Sequence, residues 1–268
     1  MKKFNIVLLI LFFESFNLYS DSFGLGEKLK YEISLLGMTV GYSSMHVVGL
    51  MQHEKEECYI FETRAYGTPW INRFFKVDDR IVSFWNRKQK MPIYSEKKLH
   101  EGFFKRTHTV KFDLKKRSAH FERSTFSGNT DKVGVKKESA KWSEKLGDVQ
   151  NLPLEFQDIL SAIYYQREYK TNAEIGKSFS VQLFDDLQLT EMKINILKSE
   201  KLKLKVNGIE KEIDCLKVQP FIKTTGIFRS KGNIFIWISN DEKRIPIKIT
   251  ADLPVAGHIN VILVEQEN

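Results

Sequence analysis

The chain has 268 residues, of which 42% are hydrophobic and 28% charged, and its formal net charge is +8. This composition provides enough apolar side chains for a sizeable core and excludes a largely disordered chain. Charges of both signs are interspersed, so the positive balance fits a soluble protein near anionic lipid or glycan and is not by itself a nucleic-acid-binding signature.

Residues 1–20 predict a signal peptide. Two lysines precede a short unbroken apolar run that ends at Phe13, too short for a stable transmembrane helix and of the length of a signal-peptide core. Cleavage is expected near Ser20 or Ser22, and the alternative is an uncleaved membrane anchor. We therefore expect export to the periplasm or cell envelope, with one mature domain over 21–268, no membrane span after cleavage and no nucleic-acid partner.

The chain beyond Glu27 predicts a succession of half-buried strands. Period-2 alternation of apolar and polar residues predicts the first five strands at Lys28–Leu35, Ser43–Val47, Cys58–Ala65, Ile81–Trp85 and Thr107–Leu114. The polar, glycine-containing stretch 127–150 interrupts the pattern and predicts a long loop or a hairpin excursion.

One helix is predicted over residues 154–168, with Pro153 placed to begin it and Phe156, Leu160 and Tyr164 on one apolar stripe. Strands then resume at Ser178–Leu183, Met192–Leu197, Ile213–Pro220, Ile234–Ser239, Ile245–Ala251 and Asn260–Val264.

The two strand blocks are similar to each other. Phe75–Trp85 can be aligned with Phe228–Trp237, and Cys58 then lies opposite Cys215. The hypothesis is a pseudo-duplication of residues 26–126 and 176–264, joined by the helix; the alternative is chance similarity between amphipathic strands. The expected fold is mainly β, a curved or barrel-like antiparallel sheet with one helix packed on it.

Two cysteines remain after export, Cys58 and Cys215. In an oxidising compartment an even pair suggests a disulfide. The alternative is two buried free thiols, which pack as small hydrophobic side chains.

The most charged part of the chain is the stretch from Lys97 to Arg123, where bases alternate with apolar residues. Lys105, Arg106 and Lys111 are the candidate ligand-binding residues, since bases on a sheet rim could meet an acidic head group. The alternative is a solvated sheet face whose lysines prevent aggregation at an edge.

No catalytic or metal motif is recognisable in the sequence. It lacks the His-x-x-x-His helix of zinc hydrolases, the Gly-x-Ser-x-Gly elbow, the P-loop and the dinucleotide fingerprint. The histidines at 100, 108 and 120 could meet in space, but exposed or structural imidazoles are the preferred interpretation over a metal site. We therefore assign no catalytic residues, no metal ligands and no cofactor.

With the strands placed, the sequence resembles the DUF3108 family of exported bacterial proteins of unknown function. The motifs are Gly26–Tyr31 followed by Gly37 and Gly41, Asp158–Arg167, Ile236–Ser239 leading through Asp241 and Arg244 to Ile245-Pro246, and Gly257 before the last strand. They span about residues 26 to 264, and the chain departs at 127–150. The resemblance implies an envelope location and a β-rich fold, and it supplies no reaction and no catalytic residue.

Three functions follow, in order of preference. The first is a non-enzymatic envelope protein that binds a lipid or lipid-linked glycan, with acyl chains inside the sheet. The second is a structural or assembly partner of another envelope protein, through a sheet edge or the 127–150 stretch. The third is a hydrolase or transferase with an unfamiliar site, so the chain is more readily interpreted as a binding protein than as an enzyme.

Overall fold

The computed structural model describes residues 22–127, 141–168, 174–223, 234–253 and 257–267. This part of the chain forms fourteen antiparallel strands and one α-helix. The elements are β1 Lys28–Leu35, β2 Met38–His53, β3 Glu56–Gly67, a 3-10 turn Ile71–Arg73, β4 Asp78–Asn86, β5 Met91–Glu101, β6 Phe104–Asp113, β7 Ser118–Ser127, β8 Lys141–Val149, α1 Ser161–Glu168, β9 Ser178–Asp185, β10 Gln188–Val206, β11 Ile209–Lys223, β12 Ile234–Ser239, β13 Pro246–Leu253 and β14 Gly257–Glu267.

All fourteen strands belong to one sheet, in the order β8-β7-β6-β5-β4-β3-β2-β1-β14-β13-β12-β11-β10-β9. The first and last strands pair at its centre, and β8 and β9 are its two edges. The sheet is curled, because Lys97 of β5 and Arg123 of β7 reach the β9–β10 turn although many strands lie between them. The predicted fold class, a curved antiparallel sheet with one helix, is confirmed.

The alternating pattern located most strands, and β1 and β12 have the predicted bounds. Strand β8 lies in the stretch predicted as a loop or hairpin excursion. Its side chains are mostly exposed, including Trp142 and Leu146, so it carries no buried face that alternation could reveal. Residues 128–140 of that stretch, like the predicted signal peptide, lie outside the described residues.

The helix is shorter than predicted, since it begins at Ser161 rather than at residue 154. The Asp158 carboxylate accepts hydrogen bonds from the backbone N–H groups of Leu160 and Ser161, and the Ser161 hydroxyl accepts one from the Asp158 N–H. This reciprocal capping box fixes the helix start. Upstream, the backbone of Gln157 pairs with β9 instead, which holds the residues after Pro153 extended.

Aromatic side chains fill the inner side of the curled sheet around α1. The rings of Phe61 and Tyr164 stack with their centroids 3.8 Å apart. Phe23 contacts the edges of both rings and of Tyr59. Leu29 of β1 completes this cluster with residues from β2, β4 and β14. The inner volume that could have held acyl chains is therefore occupied here by the protein's own side chains.

A buried ion pair joins three segments below the helix. The Arg167 guanidinium donates to both carboxylate oxygens of Glu27, at 2.6 and 2.9 Å, and to the carbonyls of Ser22 and Lys243. Phe23 and Tyr164 pack beside it as cation–π partners. Glu27, Arg167 and the turn around Lys243 belong to the three segments that carry the family resemblance, so those segments meet around one side chain.

The two proposed half-repeats share strand order and local detail. The N–H of Gly26 donates to Val47 and that of Gly176 to Ile196, and both glycines have positive φ. A β-bulge follows Val47 in β2 and Ile196 in β10. The pseudo-duplication remains a prediction, for which superposition of the two halves is the test.

Candidate functional site

The structure separates the three predicted ligand-binding bases. Lys105 and Lys111 are exposed on the outer face of β6, whereas Arg106 lies on the inner face and pairs with Asp186 of the β9–β10 turn. Because strand residues alternate between faces, positions 105 and 111 share a side that position 106 cannot reach. The three bases were predicted to form one site, but the pleat of β6 places Arg106 on the opposite face from Lys105 and Lys111.

Cys58 and Cys215, for which a disulfide was one alternative, are free and buried in the structure. They lie on β3 and β11, and five strands separate these in the sheet order. Burial raises the pKa of each thiol to about 11, so both stay protonated near neutral pH. The geometry matches the alternative of two buried thiols.

Polar residues close the gap between the two ends of the sheet, in a region that we call the seam. Lys97, His108 and Arg123 lie side by side across the inner face of β5, β6 and β7. Asp185 at the end of β9 and Asp186 in the following turn contact them. Lys97 pairs with Asp185, and Arg123 pairs with Asp186 at 2.5 Å. The acids and bases of the seam thus neutralise each other.

His108 is the buried imidazole of the seam. Its Nε2 atom has no hydrogen-bond partner among the described residues. The residue also lines a cavity of about 10 Å³, the size of one water molecule. Burial, followed by the charges of Lys97 and Arg123, lowers the pKa of His108 to about 4. His120, by contrast, is exposed on β7 beside Asp148, so these two histidines do not meet.

A groove of about 540 Å³ lies on the outer face of β1, β2 and β3. We call it the β1–β3 groove. Its lining includes Lys28, Lys30, Tyr42, Ser44, His46, Glu62, Arg64, Tyr66 and Glu265. Its volume is in the range of small-molecule binding sites in proteins.

Sheet register explains why these side chains converge. Lys30 of β1 pairs with Ser44 of β2, and Ser44 pairs with Arg64 of β3, so the three form one row across the strands. Two residues along, Tyr42 pairs with Tyr66 in the next row. Directly opposite residues in antiparallel strands have Cβ atoms about 5 Å apart, so each row presents a continuous polar surface.

The acidic groups of the groove are held by bases. Lys30 pairs with Glu265 and, at 2.7 Å, with Glu267 of β14, and these hydrogen bonds raise the pKa of its ammonium group. Burial works to raise the pKa of Glu62, but hydrogen bonds from Arg64 and Arg80 lower it overall. Glu62 therefore remains an ionised acceptor that fixes the Arg64 side chain.

Two exposed tyrosines form the aromatic part of the groove. The rings of Tyr42 and Tyr66 have centroids 5.9 Å apart and are inclined at 39°. Rings in such a pair offer an apolar surface beside hydroxyl groups. Together with Ser44 and His46, they can stack on the C–H face of a sugar ring and bond its hydroxyls.

The sequence did not predict the groove, because most of its residues stand at outward positions of strands that were predicted from their apolar faces. A signal was present: Tyr42, Ser44 and His46 occupy successive outward positions of β2. This pattern of polar residues could have predicted a polar outer face on β2. It could not have predicted that β14 pairs with β1 and supplies Glu265.

The comparisons with known proteins agree on fold and leave function open. The family model described as "Protein of unknown function (DUF3108)" matches residues 30–264. No curated protein matches this chain. Among solved structures, a beta-barrel-like protein of the domain of unknown function DUF1849 from Brucella abortus aligns with a TM-score of 0.55 and 10% identity, over 91% of this chain and 97% of its own. Within the described residues, no helix has the length and hydropathy that a bilayer crossing requires.

Proposed function

Since the chain belongs to the DUF3108 family of proteins of unknown function, we propose that it is exported and acts in the cell envelope as a non-enzymatic protein that binds a lipid-linked glycan. The β1–β3 groove is the observation that carries this proposal. The signal-peptide pattern of residues 1–20 and the basic net charge support an envelope location.

The groove suits the sugar-containing head group better than the acyl chains. Tyr42 and Tyr66 offer stacking surfaces, and Ser44 and His46 offer hydrogen-bonding groups. Lys28 adds positive charge, which suits the phosphate that joins a glycan to its lipid, and Arg64 has further N–H donors beyond those that Glu62 accepts. The acyl chains would remain in the membrane, since aromatic residues already fill the space around α1.

Native mass spectrometry of the mature protein, purified gently from a bacterial periplasm, tests this function. We expect a co-purifying glycolipid at one copy per chain, identified after lipid extraction. A variant with Tyr42→Ala and Tyr66→Ala should lose it, because removal of two exposed aromatic rings abolishes the stacking surface while leaving the core intact.

The matched control is Trp142→Ala, which removes an exposed aromatic ring from a cross-strand pair on β8 outside the groove. This control should retain the glycolipid. Equal retention by the tyrosine variant would contradict the proposal, as would protein that carries no ligand and binds none on exposure to envelope lipids.

Edge strand β8 supports a second candidate, an assembly role with another envelope protein. Trp142 and Leu146 are exposed on this edge, where unpaired backbone groups can receive a further strand. Crosslinking from position 146 in the native envelope would identify such a partner, and absence of any crosslink there would remove this alternative.

A further inference from the structure

The loop between β3 and β4, residues 68–77, presents large aromatic side chains to solvent. Phe74 is 84% exposed, Phe75 51% and Trp70 45%. Phe103, in the neighbouring β5–β6 turn, is also exposed. Single exposed apolar residues are ordinary, but four large aromatic side chains on two adjacent turns mark an interaction surface.

This β3–β4 loop is held in place by its own hydrogen bonds. The side chain of Asn72 donates to the Gly67 carbonyl at 2.9 Å and accepts from the Val77 N–H at 3.1 Å. The N–H groups of Phe74 and Phe75 both donate to the Ile71 carbonyl in a 3-10 turn. The loop therefore has a defined shape that directs its aromatic residues outward.

The neighbouring turn supports the same shape. Gly102 has a φ of +58°, and a Cβ atom there would come within 2.6 Å of the Phe75 ring. Its N–H donates to the Lys76 carbonyl at 2.7 Å. The Phe75 ring thus packs against Gly102, where any larger residue would collide with the ring. This contact fixes the direction of the Phe75 side chain.

Two basic side chains flank the aromatic pair. Arg73 precedes Phe74 and Lys76 follows Phe75; both bases are exposed, and the Lys76 ammonium lies 3.6 Å from the Asp78 carboxylate. Aromatic residues beside lysine and arginine are typical of segments that lie in the interface of an anionic bilayer: phenylalanine enters the acyl boundary, tryptophan stays at head-group depth, and the bases meet phosphates.

We propose that the β3–β4 loop docks on the surface of an anionic lipid bilayer, with Phe74 and Phe75 inserted and Arg73 and Lys76 bound to lipid phosphates. The exposure of Phe74 and Phe75 and the position of a base on each side of them carry this assignment. It goes beyond the groove and does not depend on the groove's ligand. The position of the loop is compatible with ligand binding in the groove, since the groove residue Tyr66 is four residues from Trp70 of the loop.

Flotation of the mature protein with lipid vesicles tests the docking. We expect binding to vesicles of phosphatidylethanolamine and phosphatidylglycerol, and much weaker binding to vesicles of phosphatidylcholine alone. Phe74→Ser should weaken binding by about tenfold or more, because an inserted phenylalanine loses its apolar burial. Arg73→Gln with Lys76→Gln should weaken it by about tenfold and reduce its dependence on salt.

The control is Ile209→Ser, which removes a side chain that is 63% exposed on the first residue of β11, at the other end of the strands. It should bind as the unsubstituted protein does. Lack of binding to anionic vesicles would overturn the docking, as would equal losses in Phe74→Ser and Ile209→Ser. The double tyrosine variant of the groove should still float with vesicles, so failure of either proposal is seen separately.

Discussion

At the scale of single residues, Arg167 is a buried charge that is held by several partners. Its side chain is 1% exposed and donates to Glu27 and to two backbone carbonyls. A buried charge is tolerated only when it is paired and hydrogen-bonded, and here both conditions hold. The residue therefore joins the segment before β1, the end of the helix and the β12–β13 turn.

Arg167→Met should lower the free energy of unfolding by roughly 3–5 kcal/mol, because it leaves the Glu27 carboxylate buried without its partner. Urea denaturation followed by tryptophan fluorescence measures the loss. Combining it with Glu27→Gln should recover a large part, since no uncompensated charge then remains. If the double variant were as unstable as the sum of the two single variants, the ion pair would not be the cause.

At the scale of elements, the sequence predicted strands better than the helix. Alternation of apolar and polar residues is a direct consequence of the pleat, so it located β1 and β12 with the observed bounds. Phe156 and Leu160, two residues of the apolar stripe that predicted a helix from residue 154, are buried although both precede the helix. The first of them, however, packs in an extended segment whose pairing with β9 is a long-range contact that no local pattern contains.

Asp158→Ala should lower the free energy of unfolding by about 2–3 kcal/mol, since it removes the helix cap and leaves the Ser83 hydroxyl without its acceptor. Asp158→Asn is the matched control, because asparagine caps a helix about as well as aspartate. Chemical denaturation of both variants is the measurement. Similar losses in the two would show that the cap at this position contributes little.

The candidate sites are formed by residues from several strands, and the sequence does not show which strands pair. For this reason the sites could be predicted only in part. Basic residues of β6 were recognised as a group, but the pleat places Arg106 on the inner face and Lys105 on the outer face. The β1–β3 groove needs the register of three strands together with β14. Residue types alone predicted a basic surface, and only the pairing of strands shows where it lies.

At the scale of the whole molecule, the seam connects the two ends of an open sheet. Asp185 and Asp186 lie against Lys97 and Arg123, and Phe184 packs on Phe112 beside them. These contacts replace the backbone pairing that would close the sheet. Protonation of a group within the seam should therefore affect the stability of the entire fold.

Acid should weaken the fold through His108. Its pKa is about 4 in the folded chain and 6.5 ordinarily, so between these values the unfolded chain binds a proton that the folded chain does not. The free energy of unfolding should fall by up to roughly 3 kcal/mol as the pH drops from about 6.5 to 4. Above pH 6.5 His108 is neutral in both the folded and the unfolded chain, so this loss of stability is absent there.

Denaturation of the unsubstituted protein and of His108→Gln across this range isolates the effect. The raised pKa of Asp158, caused by its burial, acts in the opposite direction in both proteins, since a raised carboxyl pKa costs stability as the pH rises. The difference in the free energy of unfolding between the unsubstituted protein and His108→Gln should therefore shrink as the pH falls. A difference that is constant with pH would exclude His108 as the sensitive group.

The pairing of β1 with β14 has a consequence for how the chain acquires its structure. Every other pairing in the sheet joins neighbours along the chain and can form as soon as both are available, whereas Lys28 meets Glu267 only after the last strand has been delivered. A chain that crosses a membrane N-terminus first would hold β1 as an unpaired edge throughout its passage. Protection of that edge during biogenesis, by a chaperone or by rapid delivery of the C-terminus, would then determine how much protein reaches the folded state.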